Sequence, residues 1–384
     1  MRILFCSSTY LSKELGASKV LIELAEEMEH AGWECDIISP PDLVPNYARN
    51  GNEKYPVYLR QHLRDHEGEY DVVDYDHHHL PFPRSDFPEQ MLLVARSVLL
   101  QHHLDKIRIP EERNLRSAVR SLLRGRKNKA RRQCSRQWAY KTLRGTDLIN
   151  VLNYDDEAEL MADGIPREKI AVIPNGLSRD RASLFDLVSS SPPADIADIK
   201  VAFIGTFDNR KGSTDFPSIV RNVQEALPRV SFRLLGTGRS ENVVLSHFPP
   251  NLRSNVEVIS HFSADGLPDL LAPCSVGVFP SYVEGFGLGV LEMLAASIPV
   301  IAYNSPGPPM MLPPDYLVRP GDVSALTSKV IELLRDCDKL ASARRWAKQR
   351  SKDFCWERIA HLTSEIYCER WKARQTSMPA QMNR

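Results

Sequence analysis

Two acidic residues, Glu284 and Glu292, flank a glycine-rich run, Pro280-Ser281-Tyr282-Val283-Glu284-Gly285-Phe286-Gly287-Leu288-Gly289. Glycines at 285, 287 and 289 let backbone amides crowd a ligand. The apolar run Val276–Phe279 before them reads as a strand, and the spacing after them predicts a helix from near Leu288. A helix start offers unpaired N–H groups and the positive end of a dipole, which suits phosphate. Glu284 falls in the loop and Glu292 about one turn into the helix. The two carboxylates can therefore address opposite ends of one bound molecule. The alternative is a plain strand-turn-helix corner with two surface acids.

Two more loops carry matching chemistry. In Gly205-Thr206-Phe207-Asp208-Asn209-Arg210-Lys211-Gly212 the adjacent cations Arg210 and Lys211 can neutralise a diphosphate. Alone, such a turn is as often merely solvated. Leu234-Leu235-Gly236-Thr237-Gly238 is half of a dinucleotide fingerprint, or a simple tight turn. Asp74-Tyr75-Asp76 has the spacing of a metal-binding D-x-D and precedes His77-His78-His79. It is expected to follow a strand ending at Val73. Adjacent residues on a strand alternate faces, so the histidines are read as an acceptor-side loop. No metal site is expected. His102 and His103 are candidates for catalysis, against a pair of packed or solvated histidines.

The elements that position these residues are short apolar strands alternating with helical patterns. Strands are expected at 3–5, 35–38, 70–73, 91–95, 148–152 and 169–173. A second series is expected at 200–204, 232–235, 256–259, 276–279 and 300–302. Alternation of this kind implies α/β domains with parallel sheets, here two doubly wound Rossmann-like domains facing across a cleft. The expected boundaries are 1–180 for the first domain, 181–198 for a linker and 199–345 for the second. Helices over 346–372 follow, then a tail over 373–384. Ligands of such sheets bind outside the carboxyl ends of the strands, where all three loops fall.

At 384 residues the chain has room for two domains. Formal net charge is zero, which argues against nucleic acid as a partner. The seven cysteines form no C-x-x-C pair, so a disulfide framework or zinc site is not expected. Ser7, Ser8 and Thr9 interrupt the apolar start too early for a signal peptide. No run approaches a membrane span, so a cytoplasmic protein is expected. The stretch 106–144 is strongly basic around Arg124–Arg132, with Leu115, Val119 and Leu122 at helical spacing. It could dock on an anionic membrane surface, or it is a solvated helix.

The pair Glu284 and Glu292 matches the E-x7-E signature of retaining glycosyltransferases of the GT-B fold. More narrowly, the chain resembles glycosyltransferase family 4. Lys211-Gly212 matches that family's phosphate-binding K-G, the segment Ile165–Gly176 its border ending in P-N-G, and Arg319-Pro320-Gly321-Asp322 its P-G-D turn. The resemblance implies a nucleoside-diphosphate-sugar donor (UDP-, GDP- or other) and a hydroxyl acceptor held by the first domain. It implies no cofactor and no metal, and a last helix that returns to the first domain. By resemblance Glu292 binds the ribose. Glu284 faces the donor sugar with the amides of Phe286 and Gly287. Leu288 and Gly289 amides touch phosphate, and Lys211 neutralises the leaving group. Gly16 approaches the donor phosphate. The sequence departs from the pattern at Thr206, where many members carry arginine, and Arg210 is the expected substitute. It departs again at Ala17 and Val98. A catalytically degenerate sugar-nucleotide-binding or partner protein is the alternative.

Overall fold

The computed structural model describes residues 1–11, 16–47, 52–110, 133–186 and 199–377. They form two compact units. The first takes the described residues within 1–102, 115–175 and 356–384, and the second those within 103–114 and 176–355. Each holds one six-stranded sheet, and every strand pair is parallel. Parallel strands covered on both faces must be apolar along their whole length. The short runs in the sequence have that character, and most of their residues are buried.

In the first unit the strands are β1 (Arg2–Cys6), β2 (Glu34–Ile38), β3 (Val72–Asp76), β4 (Leu92–Arg96), β5 (Leu148–Val151) and β6 (Ile170–Val172). Their spatial order is β2-β1-β3-β4-β5-β6. The helix Gly16–His30 connects β1 to β2, and Gly32 follows it with a left-handed φ of 88°. That is the helix stop expected of glycine.

In the second unit the strands are β7 (Lys200–Ile204), β8 (Ser231–Leu235), β9 (Val256–Ile259), β10 (Cys274–Phe279), β11 (Val300–Tyr303) and β12 (Leu317–Val318). The order β12-β11-β10-β7-β8-β9 is the 3-2-1-4-5-6 order of dinucleotide-binding sheets read from the other side. The helix Phe216–Ala226 buries Phe216, Ile219, Val220 and Val223 at helical spacing, and Phe216 meets Phe203 of β7 edge-on at 4.8 Å. Each such side chain contributes about 1.5–3 kcal/mol of burial.

Both sheets are Rossmann-like, and both have a point where the strand order reverses. It lies between β1 and β3 in the first sheet and between β7 and β10 in the second. Ligands of open parallel sheets bind at such points, outside the carboxyl ends of the strands.

Several expectations change. β3 begins later than expected and runs through Asp76. Asp74 is therefore a strand residue, fully buried, where its carboxylate accepts from Arg96 and from the Tyr367 hydroxyl, each at 2.6 Å. His77–His79 lie in the turn after the strand, so strand alternation does not separate them. Residues 179–186, partly assigned to a linker, form the helix Arg179–Asp186 of the second unit. The helix Cys337–Ser351 also belongs to the second unit. The last helix, Trp356–Ser377, belongs to the first and extends into the stretch read as tail. Trp356 donates to Glu23 at 2.8 Å, and Trp33 to Ser364 at 2.8 Å. β12 was not expected, because two residues show no period. The centre of the basic stretch, 111–132, and the Ser-Pro run at 189–193 lie outside the described residues.

Candidate active site

At the end of β7 the chain turns sharply through Gly205. Asp208 caps a short turn, Asn209–Lys211, by accepting from the Lys211 amide at 3.1 Å. Thr206 donates to Asp208 at 2.6 Å, so this hydroxyl steadies the loop. Gly212 is left-handed, with φ of 80°, and a Cβ there would lie 2.3 Å from the Pro280 carbonyl oxygen. Only glycine lets this loop press against the end of β10. The contact is sewn by two hydrogen bonds: the Tyr282 amide donates to the Arg210 carbonyl at 2.8 Å, and Arg210 Nη1 to the Val283 carbonyl at 3.1 Å.

That seam places the two cations beside the loop acid. Glu284 is buried, at 6% exposure. Lys211 Nζ donates to Glu284 Oε1, and Arg210 Nη1 stands 3.6 Å from the same oxygen. Lys211 also lies 5.2 Å from the Phe279 ring centroid, over the last residue of β10. Two cations against one carboxylate leave the cluster one positive charge in excess. Beneath it Asp215 accepts from Tyr282 and Tyr303, each at 2.7 Å. Burial and the Asp215 carboxylate push both phenols well above their ordinary range. They stay neutral and donate.

The helix Leu288–Ala295 starts after Gly287, which has a left-handed φ of 92°. A Cβ on Gly289 would lie 2.8 Å from the Ile204 carbonyl oxygen, so the helix start is pressed onto the end of β7. A Cβ on Gly307 would lie 2.8 Å from the Phe286 carbonyl oxygen and 3.1 Å from that of Gly285. The loop and the helix start are thus packed tightly at the switch point between β7 and β10. Gly236 and Gly238 turn the end of β8 with left-handed φ of 70° and 63°. Between them Thr237 accepts from the Phe207 amide at 2.9 Å and braces the Gly205 loop.

Glu292 lies within this helix and takes an ion pair from Arg181 of the helix Arg179–Asp186. Arg181 has no motif around it and was missed in the sequence. Its only signal there was a basic residue in a stretch read as linker.

The structure thus brings together Gly205, Thr206, Arg210, Lys211, Glu284, Gly285, Phe286, Gly287, Leu288 and Gly289 around one switch point, with Gly236, Gly238 and Glu292 on neighbouring elements. Gly16 and His102 belong to the first unit. His102, in the helix Gln101–Lys106, stacks on Tyr140 at 4.4 Å, with Nε2 3.5 Å from Asp163. Its partners are of the first unit, and His103 beside it is buried. Gly16 opens the helix Gly16–His30. Asp76, His77 and His78 gather after β3. Burial pushes His77 down to about 3. Burial would raise the Asp76 carboxyl, but the His78 hydrogen bond and neighbouring imidazoles hold it well below the usual range. No helix among the described residues is long and apolar enough to cross a membrane.

Comparison with known proteins agrees with this division. The family model Glycosyltransferase Family 4 matches residues 16–181, and the model Glycosyl transferases group 1 matches residues 198–336. An uncharacterised glycosyltransferase of Methanocaldococcus jannaschii is 26% identical over 170 residues, 44% of this chain and 47% of that protein. The chain thus spans about half the length of this curated relative. Among solved structures, sucrose-phosphate synthase from Thermosynechococcus elongatus superposes with a TM-score of 0.72 at 21% identity, covering 97% of this chain and 99% of that one. Anabaena HepE, solved in complex with UDP-glucose, gives a TM-score of 0.64 at 15% identity, covering 96% and 100%. These likenesses show the fold, which is GT-B.

Proposed function

The chain belongs to glycosyltransferase family 4, and we propose that it transfers a sugar from a nucleoside-diphosphate-sugar to an acceptor hydroxyl, with retention at the anomeric carbon. The observation that carries this reading is the Arg210–Lys211–Glu284 cluster at the switch point between β7 and β10, facing the start of a helix. When a nucleoside diphosphate departs, negative charge grows on its phosphates and positive charge on the sugar ring. Lys211, Arg210 and the helix start are fixed before the reaction and stabilise the phosphates. They supply the charge that a divalent ion would otherwise bring to the donor.

With a donor bound, Lys211 turns from Glu284 toward the diphosphate. Glu284 is then left to hold the sugar's hydroxyls and keep the ring in a reactive pose. Glu292 holds the ribose, with Arg181 fixing its carboxylate. The HepE complex with UDP-glucose supports a uridine nucleotide as the first donor to try. The acceptor belongs to glycan, glycolipid or polysaccharide synthesis. The basic stretch at 106–144 supports work at an anionic membrane face.

The test is release of nucleoside diphosphate from a panel of nucleotide-sugars by wild type and Glu284→Gln. Turnover with one donor, lost in the variant while the fold holds, supports the proposal. No turnover with any donor, in the presence of mixed saccharide and lipid acceptors, favours a binding protein without catalysis.

A further inference from the structure

We propose that Asp76, His77 and His78 form a binding site for a divalent transition-metal ion, zinc foremost, at the switch point of the first sheet. Its residues belong to the first unit, and the proposal does not depend on the proposed transfer. Its place comes first. β3 ends at Asp76, and the strand order reverses between β1 and β3. Topology alone marks this spot as a ligand site.

The donor set comes second. One carboxylate and two imidazoles each offer a ligand atom, and all three atoms lie within 4.8 Å of one another. Asp76 Oδ1 is 3.0 Å from His78 Nδ1 and 3.9 Å from His77 Nδ1. Ligand atoms around a tetrahedral zinc ion stand roughly 3.3 Å apart, so small rotations of the side chains close the site. Two nitrogens and one oxygen suit zinc and its transition-series neighbours, not magnesium or calcium, which prefer oxygen alone. Asp76 and His78 are partly exposed, so water can take a fourth position.

The third observation is independent. His77 is 1% exposed, and neither of its ring nitrogens makes a well-formed hydrogen bond among the described residues; only the Arg96 backbone lies within weak reach of the ring. A buried imidazole so poorly satisfied is costly, and a metal ion removes that cost. The backbone around the site is already fixed. The His77 amide donates to the Arg96 carbonyl at 3.0 Å, and the His79 amide to the Asp76 carbonyl at 2.9 Å. The His78 amide donates to Asp76 Oδ1 at 2.9 Å. His78 also hydrogen-bonds the Gln101 side chain, the outer contact that orients a ligating imidazole. His79 packs edge-on against Tyr55 at 4.8 Å and is not counted as a ligand.

The experiment uses the full chain stripped of metal. Zinc chloride is titrated by calorimetry and cobalt chloride by visible absorption, with magnesium chloride as control. The proposal expects one zinc equivalent, cobalt bands of imidazole ligation, and no magnesium binding at matched concentration. His78→Gln and Asp76→Asn, both at partly exposed positions and so the less disruptive choices, should weaken zinc at least about 100-fold with far-ultraviolet circular dichroism unchanged. Gln101→Ala should weaken it about 10–100-fold. His361→Gln, an exposed histidine of the last helix, should leave it unchanged. The absence of saturable one-to-one zinc binding overturns the proposal. So does binding that survives both His78→Gln and Asp76→Asn, or equal affinity for magnesium.

Discussion

The two sheets reverse their strand order at equivalent places and put different chemistry there. At the β7/β10 point the charges are paired. Lys211 and Arg210 meet Glu284, and the backbone beneath is locked by glycines that admit no side chain. At the β1/β3 point a buried histidine makes no well-formed side-chain hydrogen bond among the described residues, and a carboxylate and a second imidazole share one bond. A paired, preorganised cluster suits a ligand that exchanges one partner for another, as a departing diphosphate does. An incomplete cluster suits a ligand that adds what is missing. One kind of sheet can thus carry two kinds of candidate site, and the difference lies in the residues at the strand ends rather than in the sheets.

The largest expected effect breaks the paired side. Lys211→Ala removes the cation that pairs with Glu284 and that, in the proposed transfer, balances the leaving phosphates. Turnover should fall about 100- to 1,000-fold in steady-state assays, the range for losing one preorganised charge donor. A fall of less than tenfold would make Arg210 or the helix start the main phosphate group. Next comes Arg181→Ala, which leaves the partly covered Glu292, its side chain 14% exposed, without its cation. Chemical denaturation should show a loss of about 3 kcal/mol, and Arg181→Ala with Glu292→Leu should recover most of it. Failure of that recovery would mean that Arg181 acts through packing.

Gly212→Ala tests the seam between the loops. Its left-handed φ and the Pro280 carbonyl 2.3 Å from the added Cβ predict a loss of about 1–3 kcal/mol in stability. Turnover should drop with it, because Lys211 is the next residue. The smallest effect concerns a charge cluster away from either switch point. Glu257 of β9 accepts from Arg233 Nε at 2.9 Å and Lys200 at 2.7 Å. Burial would raise its carboxyl, but these hydrogen bonds outweigh it and lower the group below the ordinary 4.5. A depressed carboxyl contributes stability above about pH 4.5 and loses it as pH falls through the folded value. Glu257→Gln should therefore cost under about 1 kcal/mol at pH 7, since the carboxylate is 41% exposed, and nothing once the wild-type group is protonated. An equal cost at both pH values would assign the effect to packing.

The sheets were legible because buried parallel strands must be continuous apolar runs, and most of those in this chain are bounded by turn residues. β3 was misplaced by three residues because Asp74, a charged residue, is inside it. Nothing local to Asp74 announces that Arg96 will pair with it and Tyr367 donate to it from distant segments. The loops after β7 and β10 were legible as candidates because glycine and charge stand together at strand ends. Gly205, Lys211 and Glu284 could be read singly, while their meeting required the β7/β10 order. Arg181 was invisible for the same reason, since its partner is over a hundred residues away. The histidines were read as a loop, and they do lie in the turn after β3, so strand alternation does not separate them.

The measurement that tests the central claim most directly is calorimetric titration of the full chain with nucleoside diphosphates, wild type beside Lys211→Ala. The account predicts saturable one-to-one binding of at least one nucleoside diphosphate, weakened tenfold or more in the variant, whose thermal unfolding remains cooperative. Binding of none, or binding as tight in Lys211→Ala as in wild type, would contradict a donor site at the β7/β10 switch point.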